Sequence, residues 1–292
     1  MARPRPKQLP PDAQTVRAEL LAGRSRLERA GIPLPWLDAE ILLAHILRTS
    51  RERLHSHPER RLTGSQRQQF RRLTRRRTAR VPVPYLIGER EFYGHVLAVR
   101  PGVLIPRPET ELMVELAIDW LRQHPRARRV IDLGTGSGAV AIAIAKAVPR
   151  VRIVATDVSR RALRVAEENI ARSRVKSRIT TARANLLAGA APADLILANL
   201  PYIPDALRRT RPRELEYEPA LALEGGKDGL DLIRAALAQA PGVVKPGGLV
   251  LLECDPAQAR RVVRLALRHW PSAQVSVHKD LAGSDRVVRI QV

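Results

Sequence analysis

A glycine-rich segment is the first place in the chain where residue type and spacing indicate chemistry. Gly134, Gly136 and Gly138 follow an apolar run that contains Asp132, and a helical pattern follows them. Glycine adopts positive φ freely and lets the backbone approach a ligand closely. Asp157 ends the next apolar run. Because ligands of open α/β sheets bind beyond the carboxyl ends of the strands, this carboxylate is placed to accept hydrogen bonds from a ribose diol.

Two classes of ligand fit the glycine segment. A dinucleotide site uses a G-x-G-x-x-G loop, whose glycines surround a pyrophosphate. Residues 132–138 have the pattern D-x-G-x-G-x-G, with the last glycine one residue early. That spacing resembles the first motif of the S-adenosylmethionine-dependent methyltransferases, whose ligand has no phosphate. The pattern favours S-adenosylmethionine, with a dinucleotide or a glycine turn without a ligand as the alternatives.

A polar tetrapeptide follows another apolar strand and is expected at the same sheet edge. An amide or exocyclic amino nitrogen is a poor nucleophile, because its lone pair is delocalised. Hydrogen-bond acceptors at its N–H groups can hold it for in-line attack on a sulfonium methyl, and such orientation is much of the catalysis. The candidate acceptors are the Asn199 side-chain oxygen and the Leu200 carbonyl. Pro201 would fix the backbone, and Tyr202 would pack on the flat substrate group.

Alternating helices and strands from residue 108 onward must position both loops. This alternation implies a mostly parallel sheet covered on both faces. The last two strands follow each other directly and suggest an antiparallel hairpin at one edge. The predicted helices span 109–123, 138–148, 159–172 and 229–240, and the seven predicted strands span 130–132, 151–156, 178–182, 194–198, 248–253, 273–278 and 286–291.

Residues 1–80 are predicted to form a small all-helical domain. Asp12 is expected to cap a helix that ends before Gly31. A second helix carries an apolar face, and a third, over 65–80, carries an arginine cluster that is either a solvated face or a docking surface. The apolar face comprises Leu37, Ile41, Leu42, His45 and Ile46, and the cluster comprises Arg71, Arg72, Arg75, Arg76 and Arg77.

Residues 81–107 differ in character from both of their neighbours. Pro82 and Pro84 lack a backbone donor and restrict the residues before them, so no helix is expected to continue here. Two short runs of aromatic and β-branched residues around Gly94 predict a β-hairpin. The predicted organisation is therefore a helical domain over 1–80, a hairpin-containing linker over 81–107 and an α/β domain over 108–292.

The net charge of +22, from 51 basic and 29 acidic residues, predicts attraction to polyanions such as RNA, DNA or an acidic protein. The single cysteine, Cys254, excludes an intramolecular disulfide framework and a cysteine-based zinc site. No apolar run approaches the ~18 residues of a membrane helix, and the first residues lack the apolar region of a secretory signal. We expect a cytoplasmic protein without a membrane partner.

Several other polar residues allow more than one interpretation. Seven histidines are scattered without metal-ligand spacing, so no metal is expected. Arg107 and Glu109 either shape a cofactor pocket or begin a helix, for which Pro108 and an acidic residue in the first turn are suited. Glu218 and Pro219 either line a substrate channel or belong to an ordered surface loop.

Taken together, these motifs resemble the HemK/PrmC family of protein-(glutamine-N5) methyltransferases, which modify peptide chain release factors. The similarity extends over almost the whole chain. Its most specific part is the Ile-Pro-Arg-Pro-Glu-Thr stretch of residues 105–110, because generic methyltransferases lack it. The other matching segments are residues 88–94, the glycine segment, the tetrapeptide and residues 218–231.

The resemblance implies a Rossmann-like methyltransferase domain and a reaction. A methyl group of S-adenosylmethionine would pass to the side-chain amide nitrogen of the glutamine in a Gly-Gly-Gln motif of a class 1 release factor, with S-adenosylhomocysteine as product. The tetrapeptide Asn199 to Tyr202 would bind the glutamine amide. The implied cofactor contacts are Gly134, Thr135, Gly136, Ser137 and Gly138 to the methionine part, Asp157 to the ribose, Asn185 and Leu186 to the adenine, and Asn199.

Some residues depart from the family pattern and keep alternatives open. Leu200 stands where the family usually has proline, and Asn-Leu-Pro-Tyr is also the form in ribosomal RNA adenine dimethyltransferases. Asn185 replaces a frequent aspartate, and Leu186 replaces an aromatic residue of some members. The alternatives are an adenine-N6 methyltransferase acting on ribosomal RNA or DNA, and a non-catalytic ribosome- or RNA-binding module. We expect a monomer whose helical domain recognises the release factor and whose basic surface contacts nucleic acid weakly.

Overall fold

The computed structural model describes residues 14–292, and the chain divides after Gly88 into two compact units. The first unit is helical. Its helices are α1 (Val16–Arg29), α2 (Pro35–Leu47), α3 (Arg51–Ser56), α4 (Gly64–Thr78) and α5 (Val83–Ile87). None of the helices in the described part of the chain is long and apolar enough to cross a membrane.

Helix α1 begins later than the sequence predicts. The Thr15 side chain caps it by accepting a hydrogen bond from the Ala18 backbone N–H over 3.3 Å. Asp12, the predicted cap, lies outside the described residues. Gly23 in α1 allows the close packing of α4, because a Cβ there would come within 2.6 Å of the Phe70 ring.

The predicted apolar face of α2 is only partly correct. Leu42 is fully buried, but Leu37, Ile41 and Ile46 are half-buried and His45 is exposed. Nearly every residue of α2 is apolar, so the sequence pattern does not distinguish one face from another. The buried face is formed by Ala39, Leu42, Leu43, Ala44 and Leu47.

The predicted β-hairpin is present in the second unit. Strand β1 (Glu89–Phe92) pairs antiparallel with β2 (His95–Ala98). The short helix α5 forms where prolines were expected to prevent one; Pro84 lies in its first turn, where the missing N–H is not needed. Residues 81–107, predicted as one linker, are thus divided between the two units.

The second unit contains a seven-stranded sheet in the order β5-β4-β3-β6-β7-β9-β8. Strands β3 to β7 are parallel, and β9 runs antiparallel to both β7 and β8. This confirms the mostly parallel α/β fold with a hairpin at one edge. The strands are β3 (Arg129–Leu133), β4 (Arg152–Asp157), β5 (Ile179–Arg183), β6 (Ala193–Ala198), β7 (Val244–Glu253), β8 (Gln274–Lys279) and β9 (Asp285–Gln291).

Five helices accompany this sheet: α6 (Glu111–Gln123), α7 (Ala139–Ala147), α8 (Arg160–Arg172), α9 (Asp231–Gln239) and α10 (Ala259–His269). Four of them match predicted helices closely. Helix α10 was not predicted, although Ala259, Val262 and Ala266 are buried at helical spacing. Two clusters of buried apolar side chains from the strands and helices form the core of this unit.

Candidate active site

The strand register brings the predicted site residues to one edge of the sheet. Leu133 of β3 is paired with Thr156 of β4 on one side and with Ala198 of β6 on the other, and Ala198 is also paired with Leu252 of β7. Parallel strands end at the same edge, so the residues that follow these positions become neighbours. They are Gly134, Asp157, Asn199 and Glu253.

The glycine segment forms a tight turn between β3 and α7. Gly134, Gly136 and Gly138 have φ values of +71°, +56° and +82°, in the left-handed region where glycine is favoured. A Cβ on Gly134 would lie 3.3 Å from the Leu200 side chain. The glycine segment and the tetrapeptide therefore pack directly against each other, as the sequence predicts for two loops on one edge.

A buried carboxylate stabilises this turn through hydrogen bonds. Asp132 Oδ2 accepts hydrogen bonds from the Thr135 hydroxyl over 2.5 Å and from the Ala141 backbone N–H over 3.3 Å. Burial raises the pKa of Asp132 to about 6; these two donors oppose the shift and the charge of Asp157 adds to it. Asp132 thus ties the turn to the first residues of α7.

Asp157 connects the glycine segment to the adjacent strand. Its Oδ2 accepts a hydrogen bond from the Gly136 N–H over 3.0 Å, and its Oδ1 accepts one from the Ser159 N–H over 2.8 Å. Burial raises the pKa of the carboxyl group, and the backbone donors oppose that shift. Each oxygen keeps a further lone pair, so the carboxylate can still accept a hydrogen bond from a ligand.

The polar end of Asn199 is fixed by a residue far away in sequence. Asn199 Nδ2 donates to the Thr110 hydroxyl over 3.0 Å, which leaves Oδ1 as an acceptor. Thr110 is buried and lies just before α6. Thr110 belongs to the 105–110 signature, but its role cannot be predicted from the sequence, which does not show that it contacts a residue 89 positions away.

Tyr202, which is predicted to pack on the substrate amide, lies beside the sheet. It does not line the cleft described below; its hydroxyl donates to Glu253 Oε1 over 3.3 Å, and its side chain packs against the apolar cluster beside the sheet. Burial, with the charge of Glu253, raises the pKa of Tyr202. The sequence motifs assign no role to Glu253.

The segment after the tetrapeptide packs against it through two glycines. A Cβ on Gly225 would lie 2.6 Å from the Pro201 carbonyl oxygen, and one on Gly229 would lie 2.2 Å from the Tyr202 carbonyl oxygen. Ile203 N donates to the Leu223 carbonyl over 2.9 Å. These close approaches give a physical reason for the glycines of the 218–231 segment.

Arg107 and Glu218, each of which has two open interpretations, contact each other. Glu218 is buried, and its Oε2 accepts a hydrogen bond from the Ile105 N–H over 3.0 Å. Its other oxygen pairs with the Arg107 guanidinium. Arg107 lines the cleft, whereas Glu109 is exposed in the short 3-10 turn Pro108–Thr110 that precedes α6.

Most of the predicted site residues line an open cleft at this edge of the sheet. Its free volume is about 1220 Å³, including the part that is open to solvent. Gly138 does not line it; a Cβ there would instead lie 3.3 Å from Ala166 of α8, so this glycine lets α7 and α8 approach. The predicted site residues that line the cleft are Gly134, Thr135, Gly136, Ser137, Asp157, Asn185, Leu186, Asn199, Leu200 and Pro201.

Two family models match this chain. The model described as "PrmC N-terminal domain" matches residues 20–88, and the model described as "Methyltransferase small domain" matches residues 110–210. Among solved structures, the catalytic domain of hMettl16 in complex with MAT2A 3'UTR hairpin 6 has a TM-score of 0.55 at 15% identity. It covers 75% of this chain and 80% of that chain. This similarity supports the methyltransferase fold only.

Curated relatives are similar along almost the whole chain. A release factor glutamine methyltransferase of Deinococcus radiodurans is 39% identical over 284 residues, with 94% of this chain and 97% of the relative covered. Relatives of the same name from Moorella thermoacetica and Bordetella pertussis are 38% and 41% identical, over 93% and 87% of this chain and 96% and 94% of their own lengths. The resemblance found in the sequence is thereby confirmed, and the chain belongs to the release factor glutamine methyltransferase family.

Proposed function

We propose that this protein transfers a methyl group from S-adenosylmethionine to the side-chain amide nitrogen of the glutamine in the Gly-Gly-Gln motif of class 1 release factors. The observation that carries the proposal is the arrangement of Asn199. Its Nδ2 is committed to Thr110, and Asn199 lines the same cleft as the glycine turn. No observation favours the adenine or the non-catalytic alternative.

The residues of the cleft fit S-adenosylmethionine. Gly136 has open space where a side chain would stand, since the nearest atom to a Cβ there is 4.0 Å away, and Asp157 lines the same cleft. We assign the glycine turn to the methionine part, Asp157 to the ribose, and Asn185 with Leu186 to the adenine. When bound, S-adenosylmethionine supplies a methyl group on a positive sulfonium, which is already electrophilic.

The chain's own residues then have to hold a weak nucleophile. Asn199 Oδ1 and the Leu200 carbonyl accept hydrogen bonds from the two N–H groups of the glutamine amide and orient its nitrogen. Acceptors at these N–H groups favour the pyramidal nitrogen that attack requires, and they stabilise the charge that develops on it. Pro201 restricts the backbone of Leu200, the residue before it. The contact of Tyr202 with the substrate amide stays a prediction.

We further propose that the release factor is the protein partner, recognised by the helical unit, that the enzyme works as a monomer in the cytoplasm, and that its basic surface makes at most weak contact with nucleic acid. Within residues 14–292, no group of three or more His, Cys, Asp and Glu side chains is placed to hold a metal ion. The expectation that no metal takes part stays a prediction.

The Asn199→Ala variant tests the assigned amide acceptor. Removing the acceptor should abolish methylation of the Gly-Gly-Gln peptide, measured by mass spectrometry after proteolysis. Affinity for S-adenosylmethionine, measured by calorimetry, should remain nearly unchanged, because the glycine turn and Asp157 are intact. Turnover by Asn199→Ala at the wild-type rate would contradict the role of the tetrapeptide.

A further inference from the structure

Gln258 is a buried polar side chain that the proposed mechanism does not use. It ends the 3-10 turn Pro256–Gln258 directly before α10, and only 4% of it is exposed. It is not among the residues that line the cleft. Burying an amide group is unfavourable unless the group is hydrogen-bonded, so the partners of Gln258 indicate which part of the fold it stabilises.

The side-chain nitrogen of Gln258 bridges two backbone carbonyl groups. Nε2 donates to the carbonyl oxygen of Tyr202, the last residue of the tetrapeptide, over 2.9 Å. It also donates to the Asp228 carbonyl oxygen over 3.1 Å. The NH₂ group has two protons, so one is available for each carbonyl. Gln258 therefore connects the tetrapeptide to the segment that packs against it.

The orientation of this amide group follows from its partners. Backbone carbonyl groups only accept hydrogen bonds, so the nitrogen must face Tyr202 and Asp228. The side-chain oxygen of Gln258 accepts a hydrogen bond from the Asp255 N–H over 3.3 Å. Both ends of the amide are thus matched to backbone groups of the opposite kind. An oxygen in the place of Nε2 would face two acceptors.

The contact between Gln258 and Tyr202 is also closely packed. A Cβ on Gly229 would lie 2.2 Å from the Tyr202 carbonyl oxygen and 2.3 Å from Gln258 Nε2. The absence of a side chain at Gly229 therefore lets the carbonyl group and the amide group meet. Any larger residue at this position would push them apart.

The backbone couples the Tyr202 carbonyl to the proposed acceptor at Leu200. Peptide groups are planar, and the ring of Pro201 fixes its own φ at about −65°. Between the two carbonyl groups, only ψ of Pro201 and the two torsions of Tyr202 can rotate. The Pro201 carbonyl also packs against Gly225. Holding the Tyr202 carbonyl therefore limits the directions in which the Leu200 carbonyl can point.

We propose that Gln258 is a positioning residue, which holds the Tyr202 carbonyl and thereby orients the Leu200 carbonyl toward the substrate amide. The inference rests on the proposed function, because it concerns an amide acceptor assigned there. It assigns to Gln258 no contact with the substrate or with S-adenosylmethionine. It also gives a role to the start of α10, the helix that the sequence analysis did not predict.

The Gln258→Glu variant is the sharpest test, because it keeps the shape of the side chain and replaces the donor by an acceptor. Its second oxygen would repel both carbonyl groups and release the tetrapeptide. We expect kcat and kcat/KM for release factor methylation to fall together by about 10- to 100-fold, as for a misplaced reacting group. The Kd for S-adenosylmethionine, measured by calorimetry, should remain nearly unchanged, because the glycine turn and Asp157 are intact.

Gln291 supplies a matched control in the same unit. Its Nε2 also donates to two backbone carbonyl oxygens, those of Gly247 and Gly248, over 2.9 and 3.0 Å. It is paired with Leu249 of β7, whereas the cleft lies beyond Glu253 at the other end of that strand. Gln291→Glu removes the same kind of hydrogen bonds, so it should lower the melting temperature and leave kcat at the wild-type value.

Gly229→Ala tests the same contact without changing Gln258. Its Cβ would separate Nε2 from the Tyr202 carbonyl, so kcat should fall as it does in Gln258→Glu. Gly283→Ala controls for the left-handed backbone, because φ is +77° at Gly283 and +76° at Gly229, and nothing lies within 4 Å of a Cβ on Gly283. This control should keep the wild-type kcat.

Each result has a definite meaning, and melting temperatures are measured for every variant. Wild-type kcat in Gln258→Glu or in Gly229→Ala, or an equal loss of kcat in Gln291→Glu, would overturn the inference. A wild-type enzyme that leaves the release factor unmethylated would instead contradict the proposed function. If Gln258→Glu does not fold, Gln258→Met takes its place, because methionine has neither a donor nor a charge, and the same outcomes decide.

Discussion

Asp157 Oδ2 accepts a hydrogen bond from the Gly136 backbone N–H over 3.0 Å, so the end of β4 holds the middle of the glycine turn. The second carboxylate oxygen is bonded to Ser159 N at the start of the following helix. The glycine turn and the loop after β4 are therefore connected through one side chain. Its loss should affect both the shape of the turn and the proposed ribose contact.

Asp157→Ala should weaken binding of S-adenosylmethionine by about 10- to 100-fold. A hydrogen bond to a charged group contributes about 1.5–3 kcal/mol, and 1.4 kcal/mol is about tenfold in affinity. Calorimetric titration with the cofactor measures the effect. The affinity of Asp157→Asn for the cofactor should lie between the affinities of the wild type and Asp157→Ala, because this variant keeps one acceptor oxygen. Equal affinities of wild type and Asp157→Ala would exclude the assigned ribose contact.

Gly134→Ala should lower cofactor affinity beyond its effect on stability. A left-handed residue with a side chain costs about 1–2 kcal/mol, and a Cβ here also presses on Leu200 at 3.3 Å. Gly283→Ala is the control, because Gly283 has φ +77° with nothing within 4 Å of a Cβ. Both variants should be less stable than the wild type in urea titrations, but only Gly134→Ala should bind the cofactor more weakly.

The strands of the second unit could be predicted from sequence because their signals are local. Buried apolar runs that are followed by Gly134 and Asn199 define residues 129–133 and 193–198 almost to the residue. Helix α2 shows the limit of such patterns. When nearly all residues are apolar, only the packing of neighbouring helices decides which side is buried.

The site was predictable where a motif carries it and not where contacts cross the chain. The glycine turn and the tetrapeptide could be placed on one sheet edge from strand order alone. The pairing of Asn199 with Thr110 and of Arg107 with Glu218 could not, because each joins residues that are distant in sequence. Gly138 was expected to contact the cofactor, but it packs against α8 instead, and this contact also joins residues that are distant in sequence.

Arg107→Ala should destabilise the second unit, and neutralising Glu218 should partly restore it. Removing one partner of a buried ion pair costs about 3–5 kcal/mol because a buried charge is left unpaired. Arg107 is 31% exposed, so we expect about 2 kcal/mol in urea unfolding. In Arg107→Ala/Glu218→Gln that charge is gone, while an oxygen for the Ile105 N–H remains. A double variant less stable than Arg107→Ala would refute this account.

Asp132 should make the stability of the fold depend on pH in a defined direction. Its pKa is about 6 in the folded state and 3.8 in its ordinary range. The folded state therefore binds more protons between these values, and its free energy of unfolding decreases as the pH rises through this window.

Asp132→Asn cannot ionise and should lack this dependence. The stability difference between the variant and the wild type should grow in favour of the variant by about 2 kcal/mol from pH ~4 to pH ~7, at 1.36 kcal/mol per pKa unit. Urea unfolding at several pH values measures it. A difference that does not vary with pH would show that Asp132 titrates normally.

Methyl transfer from radiolabelled S-adenosylmethionine tests the identity of the substrate most directly. A purified class 1 release factor, its Gln→Ala variant in the Gly-Gly-Gln motif, and total ribosomal RNA are assayed side by side. We predict label on the intact release factor and none on the variant or the RNA. Label on the RNA alone would contradict the glutamine assignment and would indicate that Leu200 marks an adenine methyltransferase.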